Sequence, residues 1–376
     1  MIFEERCSLL GSAARTGVLH LPHGEVATPA FMPVGTNGTV KAISHSDLDA
    51  IGVRLILGNA YHLYLRPGTE VIEKAGGLHA FSTWQHNILT DSGGYQLFSL
   101  SDFRKISPAG VRFRSHIDGS YHEFDPEKVI AIQRIFGSDI CMPLDVCTPP
   151  GIDRREAEEA LNLTTAWLQR SKAAWLEERG EYNGSLFGIV QGNFFEDLRR
   201  QGALDAAELD LPGIAIGGLS VGEDWEVFLH FLNFTAQLLP DEKPKYVMGI
   251  GTPEYILEAV TAGIDIFDCV FPTRTARTGM VFTRRGTLNL KKELNAKVFE
   301  PIDSTCACPV CERYTRAYLR HLFKANEILG IMLATRHNLE FLERLMAETR
   351  TAIENGTFEA FKRTFLDDYA YGSAGQ

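Results

Sequence analysis

The chain has 376 residues, 45% of them hydrophobic and 23% charged, with a formal net charge of −11. Disorder needs low hydrophobicity, so a largely unstructured chain is excluded. No apolar run approaches the roughly 18 residues of a membrane span, and the opening MIFEERCSLLG lacks the basic and then apolar stretch of a secretory signal, so a cytoplasmic protein with no membrane partner is expected.

In chain order, one unit recurs: a helix-period segment that ends at Gly, then a short β-rich run. It is seen in SDLDAIG then VRLILGN (46–59), in PEKVIAIQRIFG then SDICMPLD (126–145), and in PEYILEAVTAG then IDIFDCV (253–270). Gly suits the left-handed position just past a helix, and runs of Ile, Val, Leu and Phe suit buried parallel strands. Further strand-like runs are HNILTD (86–91), SLFGIVQ (185–191), GIAIGG (213–218) and KYVMGIG (245–251), with long helical stretches at 155–178 and 223–239. Strands alternating with helices give a parallel α/β sheet, and seven or eight such units fit an irregular (β/α)8 TIM barrel better than an open sheet. Residues 1–297 are assigned to this barrel, 298–340 to a small metal-stapled insert and 341–376 to a helical tail packed back on the barrel.

Polar residues close the strand-like runs: Asp91, Asp145, Gln191, Gly217 and Gly218, Met248 and Gly249, and Asp268. In a barrel those ends meet around one pocket, where such enzymes do their chemistry. A single carboxylate there is often just a helix N-cap. Three carboxylates, an amide and a Gly pair at successive ends favour a shared site. Asp91-Ser92-Gly93-Gly94-Tyr95 offers polar groups, two Gly that let a ligand approach the backbone, and a flat ring. Asp145, Cys147 and Gln191 add groups of the kind that read a base edge.

The acidic average hides a basic stretch, with Arg274, Arg277, Arg284, Arg285, Lys291, Lys292 and Lys297 set against Glu293 alone, and then Arg313, Arg316, Arg320 and Lys324. A solvated basic face is the plain explanation; a patch that holds one polyanion in one orientation is the functional one. A carboxylate, Asp268, runs directly into this stretch. It would repel phosphates and makes sense if it acts on a nucleotide. Seven Cys, an odd number without a signal, do not form a disulfide framework. Cys306, Cys308 and Cys311 put three thiolates within six residues, a spacing that favours a closed Zn2+ site. Either His321 or His337 can supply the fourth ligand, and spacing alone leans to His321. Tyr314, Tyr318 and His321 also share a helical face at i, i+4, i+7.

Six motifs in order, DSGGYQ (91–96), FGIVQG (187–192), IAIGGLSVGE (214–223), YVMGIG (246–251), FDCVFPTRTARTG (267–279) and CACPVC (306–311), resemble the tRNA-guanine transglycosylases, also called queuine tRNA-ribosyltransferases. The resemblance runs from about MPVGT (32–36) to HNLEFL (337–342). It implies exchange of guanine at the wobble position, 34, of tRNAs for Asp, Asn, His and Tyr against a 7-deazaguanine. It implies Asp268 as nucleophile and Asp91 as general acid/base. Base contacts would come from Asp91, Ser92, Gly93, Gly94, Tyr95, Asp145, Cys147, Gln191, Gly217, Gly218, Leu219 and Met248. RNA contacts would come from Gly249, Ile250, Gly251, Thr252, Pro253, Glu254 and Tyr255, and from Thr273, Arg274, Thr275, Ala276 and Arg277. One structural Zn2+ would be held by Cys306, Cys308, Cys311 and His337, which overrules the spacing preference for His321.

Cys147 and Val221 resemble bacterial members and favour preQ1 as the incoming base, with queuine the alternative. Val146 departs from the acidic residue common between the recognition Asp and Cys. The archaeal branch acts on the tRNA D-arm and carries a further C-terminal domain, for which the length beyond the Cys cluster leaves no room. A homodimer is implied, with Trp84, Tyr314, Tyr318 and His321 as interface aromatics. Two rivals are a barrel glycosidase or aldolase, which leaves the basic stretch and the Cys cluster unexplained, and a non-catalytic RNA-binding subunit, which should lack one of the two acids.

Overall fold

The computed structural model describes residues 2–100, 104–177, 180 and 182–373. Eight parallel strands form the barrel: β1 (Ala30–Pro33), β2 (Leu55–Asn59), β3 (Asn87–Asp91), β4 (Ile140–Cys141), β5 (Ser185–Val190), β6 (Gly213–Ile216), β7 (Lys245–Val247) and β8 (Ile266–Cys269). Each pairs with its chain neighbour from β2 to β8, and β8 pairs with β1. A single parallel bridge, Val34 to Leu57, brings β1 against β2 and closes the ring.

Seven of these strands lie within the runs marked in the sequence. β1 is the eighth, four residues preceded by an antiparallel meander (Phe3–Ser8, Arg15–Leu21, Gly24–Thr28) in place of a helix. β4 is shorter than SDICMPLD suggested, because Pro143 has no N–H to continue the ladder. Asp145 therefore sits on the loop past β4 and not on the strand itself.

Alternation along the strands divides the core. Leu55, Leu57, Leu89, Phe187, Ile189, Ala215, Tyr246 and Ile266 fill the barrel interior, while Ile56, Ile88, Val190, Ile214, Val247 and Phe267 face the helical layer. The helix Pro126–Phe136 shows why the recurring unit is legible. The Asp125 side chain caps its first turn by accepting from the Lys128 N–H at 2.7 Å, Pro126 fits the first helical position, and Gly137 takes φ 69° to end it. None of the helices in the described residues is long and apolar enough to cross a membrane.

The Cys cluster and the long helix after it pack together with the last strands before them. Ala276, Val281, Leu288 and Leu290 share one cluster with Cys306, Cys308, Cys311, Leu319 and Leu322. The helix Ile328–Glu354 runs unbroken through residue 340, carrying His337 to the Cys cluster and Leu345, Met346 and Ile353 to the barrel's outer layer. Trp84 is 2% exposed, its indole N–H donating to the Asn87 carbonyl, so it packs in the core and offers no ring to a partner chain.

Candidate active site

β3 and β8 deliver Asp91 and Asp268 to the same barrel mouth, with β2 and β1 between them. Asp91 accepts from Asn59 Nδ2 (2.6 Å) at Oδ2 and from the Ala60 and Gly93 N–H groups (3.0 and 3.2 Å) at Oδ1. Burial pushes its pKa up to about 7, and the negative charge of nearby Asp268 adds to the rise against the pull of those donors. At neutral pH this carboxyl is poised between acid and base.

Asp268 accepts from the Tyr246 hydroxyl (2.6 Å) and the Gly249 N–H (3.0 Å), both at Oδ1. Among the described residues no hydrogen bond engages its Oδ2. Burial raises its pKa, while Tyr246 and Gly249 favour the ionised form. Its neighbour Cys269 and the nearby Cys147 are pushed up to about 11 and about 12, first by burial and then by the adjoining carboxylates. Both stay thiols at neutral pH.

Next to this pair lies a buried hydrogen-bonding group set. Gln191 Nε2 donates to Asp145 Oδ2 at 2.7 Å, and the Ser92 hydroxyl reaches Oδ1 at 3.5 Å. Burial pushes Asp145 up to about 6. Gln191 Oε1 is buried without a partner among the described residues, an acceptor suited to a ligand N–H. Two glycines make the room. A Cβ on Gly94 would meet Asp145 Oδ1 at 2.6 Å, and one on Gly218, which has φ 66°, would meet Gln191 Oε1 at 2.5 Å. Leu219 is buried beside Gly218, Met248 and Cys147 are half-buried, and Tyr95 stands 59% exposed at the start of the helix Gly94–Leu100.

Four residues here were not singled out in the sequence. Tyr246 sits two positions before Met248 on the same strand face, a relation that strand alternation could have exposed. Asn59 pairs with Asp91 in the β2–β3 register. Arg199 is fully buried and meets only carbonyls: Nη1 to Gly217 (2.7 Å), Nη2 to Gly218 (3.1 Å) and Nε to Asn193 (2.7 Å). It ties the ends of β5 and β6 together. Glu223 folds back to accept from the N–H groups of Ser220, Val221 and Gly222, which delays the next helix to Trp225–Ala236.

The segments suggested for RNA contact are only partly open. Gly249 is exposed, and Thr252, Glu254 and Tyr255 are half-buried. Ile250, Gly251 and Pro253 are buried, so they can meet a ligand only through neighbouring backbone. Tyr255 packs on Trp225 and Phe228, with ring centroids 4.6 and 4.5 Å apart. On the helix Phe271–Arg277, Thr273 and Ala276 face inward, while Arg274 is exposed and Thr275 and Arg277 are half-buried. The basic stretch is likewise divided. Arg284 pairs with Glu348 (2.9 Å), Arg316 donates to the Pro301 and Ile302 carbonyls (2.8 Å each), and Arg320 pairs with Glu293.

Cys306, Cys308, Cys311 and His337 converge with their ligand atoms all within 4.8 Å of one another, and all four are buried. His337 Nδ1 lies 3.4 Å from Cys308 Sγ and 3.5 Å from Cys311 Sγ. Its Nε2 donates to the Phe282 carbonyl at 2.7 Å, which leaves the Nδ1 lone pair facing the thiols. Three thiols and one oriented imidazole can hold a metal ion. His321 is exposed and stacks on Tyr318, centroids 6.3 Å apart, which corrects the spacing preference.

The fold and mouth define a class: a (β/α)8 barrel with two neighbouring half-buried carboxyls, a buried set of hydrogen-bonding groups and a separate Cys3His centre. Over residues 8–371 the chain matches the family model described as TGT, queuine tRNA-ribosyltransferase. It is 55% identical over 358 residues to the queuine tRNA-ribosyltransferase of Treponema denticola, covering 95% of this chain and 94% of that one. It is 53% identical over 362 residues to that of Borrelia recurrentis, covering 96% of each. To that of Caldanaerobacter subterraneus it is 53% identical over 360 residues, covering 96% of this chain and 95% of the other. The chain belongs to the queuine tRNA-ribosyltransferase family.

Proposed function

We propose that the protein exchanges guanine at the wobble position, 34, of cytoplasmic tRNAs for Asp, Asn, His and Tyr against preQ1, by two displacements at the ribose C1′. The observation that carries this is the pairing of Asp268, held by Tyr246 and Gly249, with Asp91, whose pKa of about 7 suits proton transfer. Replacing one base by another at the same carbon with net retention needs a covalent intermediate. In the first step Asp268 Oδ2 bonds to C1′, the bond from C1′ to the guanine nitrogen breaks, and Asp91 gives that leaving base its proton. In the second, Asp91 takes a proton from the incoming base, whose nitrogen bonds to C1′ and displaces Asp268.

Asp145, Gln191 and the Gly217–Leu219 backbone would hold the base edge, with Ser92, Gly93 and Gly94 lining the site. Tyr95 and Met248 would flank the base, since a base drawn from its stack is stabilised by roughly 1–3 kcal/mol of stacking. The likeness of Cys147 and Val221 to bacterial members supports preQ1 over the bulkier queuine. The loops 249–255 and 273–277 would meet the RNA backbone. The Cys3His centre would hold one structural Zn2+, the ion its thiolate-rich donor set suits best, and stabilise the unit around it. Tyr318, Leu294 and Ile328, exposed on neighbouring elements of that unit, favour a homodimer through this face.

Labelled guanine or preQ1 incorporated into a tRNA with G34, with queuine as competitor, tests the function. Incorporation of preQ1 that excess queuine does not suppress supports it. Failure to label any G34 tRNA overturns it, and preferential use of queuine replaces the incoming base. Light scattering tests the homodimer, which a monomer at micromolar concentration would refute.

A further inference from the structure

At the opposite end of the barrel a second group of metal-ligating side chains stands outside the chemistry above. His23 is in the turn between the strands Arg15–Leu21 and Gly24–Thr28, His79 is in the short helix Leu78–Ser82, and Asp139 immediately precedes β4. Their ligand atoms all lie within 4.8 Å of one another. His23 Nδ1 is 2.6 Å from Asp139 Oδ1, and His79 Nε2 is 3.1 Å from Oδ2. The two imidazoles are stacked nearly parallel, with centroids 3.6 Å apart and 15° between planes, so both point a nitrogen at one carboxylate.

Three features fit a metal better than an ion pair alone. The Asp139 carboxylate is buried, and Oδ2 also accepts from the Ile88 N–H at 2.7 Å, which fixes its direction as outer hydrogen bonds fix metal ligands. His79 Nε2 is buried and faces Asp139 Oδ2 at 3.1 Å, with no other side-chain or backbone partner among the described residues, so it is aimed at the carboxylate alone. The turn is already held in register, since Asn87 accepts from the His23 N–H (3.1 Å) and donates to the Gly24 carbonyl (3.0 Å). A metal would therefore find its ligands prearranged. The His23 side chain is 38% exposed, which opens a path for the ion and for a water ligand.

We propose that His23, His79 and Asp139 form a second divalent transition-metal site. Two imidazoles and one carboxylate suit Zn2+ or Co2+ in an open coordination completed by water. Its place at the foot of the barrel, away from the strand C-termini, makes it a staple between the N-terminal meander and β4 and not a catalytic ion.

Full-length protein with its Cys3His centre loaded is titrated with Co2+ and followed by calorimetry, elemental analysis and absorption. The expected result is a second equivalent per chain, with weak ligand-field bands and no added thiolate charge-transfer absorption. His23→Ala, which alters an exposed side chain, should weaken that equivalent at least tenfold and leave the first intact, and His79→Gln should do the same. Circular dichroism of each variant confirms folding. One equivalent only in the unaltered protein, or a second that both variants retain at full affinity, overturns the proposal and leaves the trio an ion-paired latch.

Discussion

The two ends of the barrel use the same residue type in opposite ways. At the foot, Asp265 just before β8 is gripped at both oxygens by Arg15, Nε to Oδ1 at 3.0 Å and Nη2 to Oδ2 at 2.7 Å, and Asp139 before β4 has two imidazoles. At the mouth, Asp91, Asp145 and Asp268 have no cationic partner among the described residues and are held by amide, hydroxyl and N–H groups alone. Burial raises the pKa of Asp265 as it does that of the three acids at the mouth, but a cation takes up both oxygens of Asp265 and fixes it in the structure, whereas only dipoles hold the mouth carboxyls and Asp268 keeps one oxygen free. Strand β8 carries this contrast within four residues, with Asp265 below it and Asp268 near its end.

The largest expected effect breaks the comparison at that strand. Asp268→Asn should lower exchange by more than about 10⁴-fold, as loss of a covalent nucleophile does, and remove the SDS-stable complex with tRNA, while thermal stability holds or rises. Asp265→Asn should do the reverse. It leaves the buried Arg15 with only the more distant, partly exposed Glu5 (3.6 Å) as its ion-pair partner, at a cost of about 3–5 kcal/mol, with exchange per folded molecule unchanged. A persisting adduct in the first variant, or an inactive but stable second one, would erase the distinction.

Cys308→Ala comes next. The unit around Ala276–Ala334 has a small core of its own, so a metal held by the Cys3His centre would supply much of its order. Elemental analysis should show the ion lost, and limited proteolysis should open this unit before the barrel. Metal content equal to that of the parent chain would overturn the ligand assignment.

The pH dependence sharpens the mouth. In the proposed mechanism Asp91 must carry a proton to release guanine, and burial pushes its pKa up to about 7. Single-turnover adduct formation should therefore be flat below that value and fall about tenfold per pH unit above it. Asp91→Asn should flatten this limb at a rate lower by about 10²–10⁴-fold. An unchanged limb in that variant would assign the proton to another group.

How much of this was legible follows from sequence distance. Helices ending at Gly137 and Gly263 mark themselves locally, and apolar runs ending in Asp91, Gln191 or Asp268 place polar groups at strand ends once a barrel is assumed. β1 escaped because AFMP is short and follows a meander, and the antiparallel strands Arg104–Ser107, Gly110–Arg114 and Tyr121–Phe124 escaped because their partners are set by turns and not by an apolar run. The foot was invisible for a different reason: Arg15 meets Asp265 across 250 residues, and His23 meets Asp139 across 116. Arg199 looks like a surface charge on an ordinary helix until β5 and β6 present their carbonyls to it. Proximity named His337 as one of two candidates, but only the family motifs chose it over His321, because spacing says nothing of a long helix returning its side chain to the thiols.

The smallest predicted effect separates the two kinds of arginine that one basic stretch contains. Arg274 and Arg277 lie on the helix that follows Asp268, and neither pairs with a carboxylate among the described residues, whereas Arg284 is tied to Glu348 and lies over the Phe365 ring at 4.5 Å. A cation that neutralises a phosphate releases counterions, so its removal lowers the salt dependence of binding by about one unit of slope. Arg274→Ala and Arg277→Ala should each weaken tRNA binding about tenfold at low salt and flatten the dependence of log K on log salt by about one, with binding of the free base unchanged. Arg284→Ala should leave that slope alone and lower the melting temperature instead. Equal slopes for all three variants would mean that this side of the mouth does not touch the RNA backbone, and that Asp268 approaches its sugar from a surface the arginines do not share.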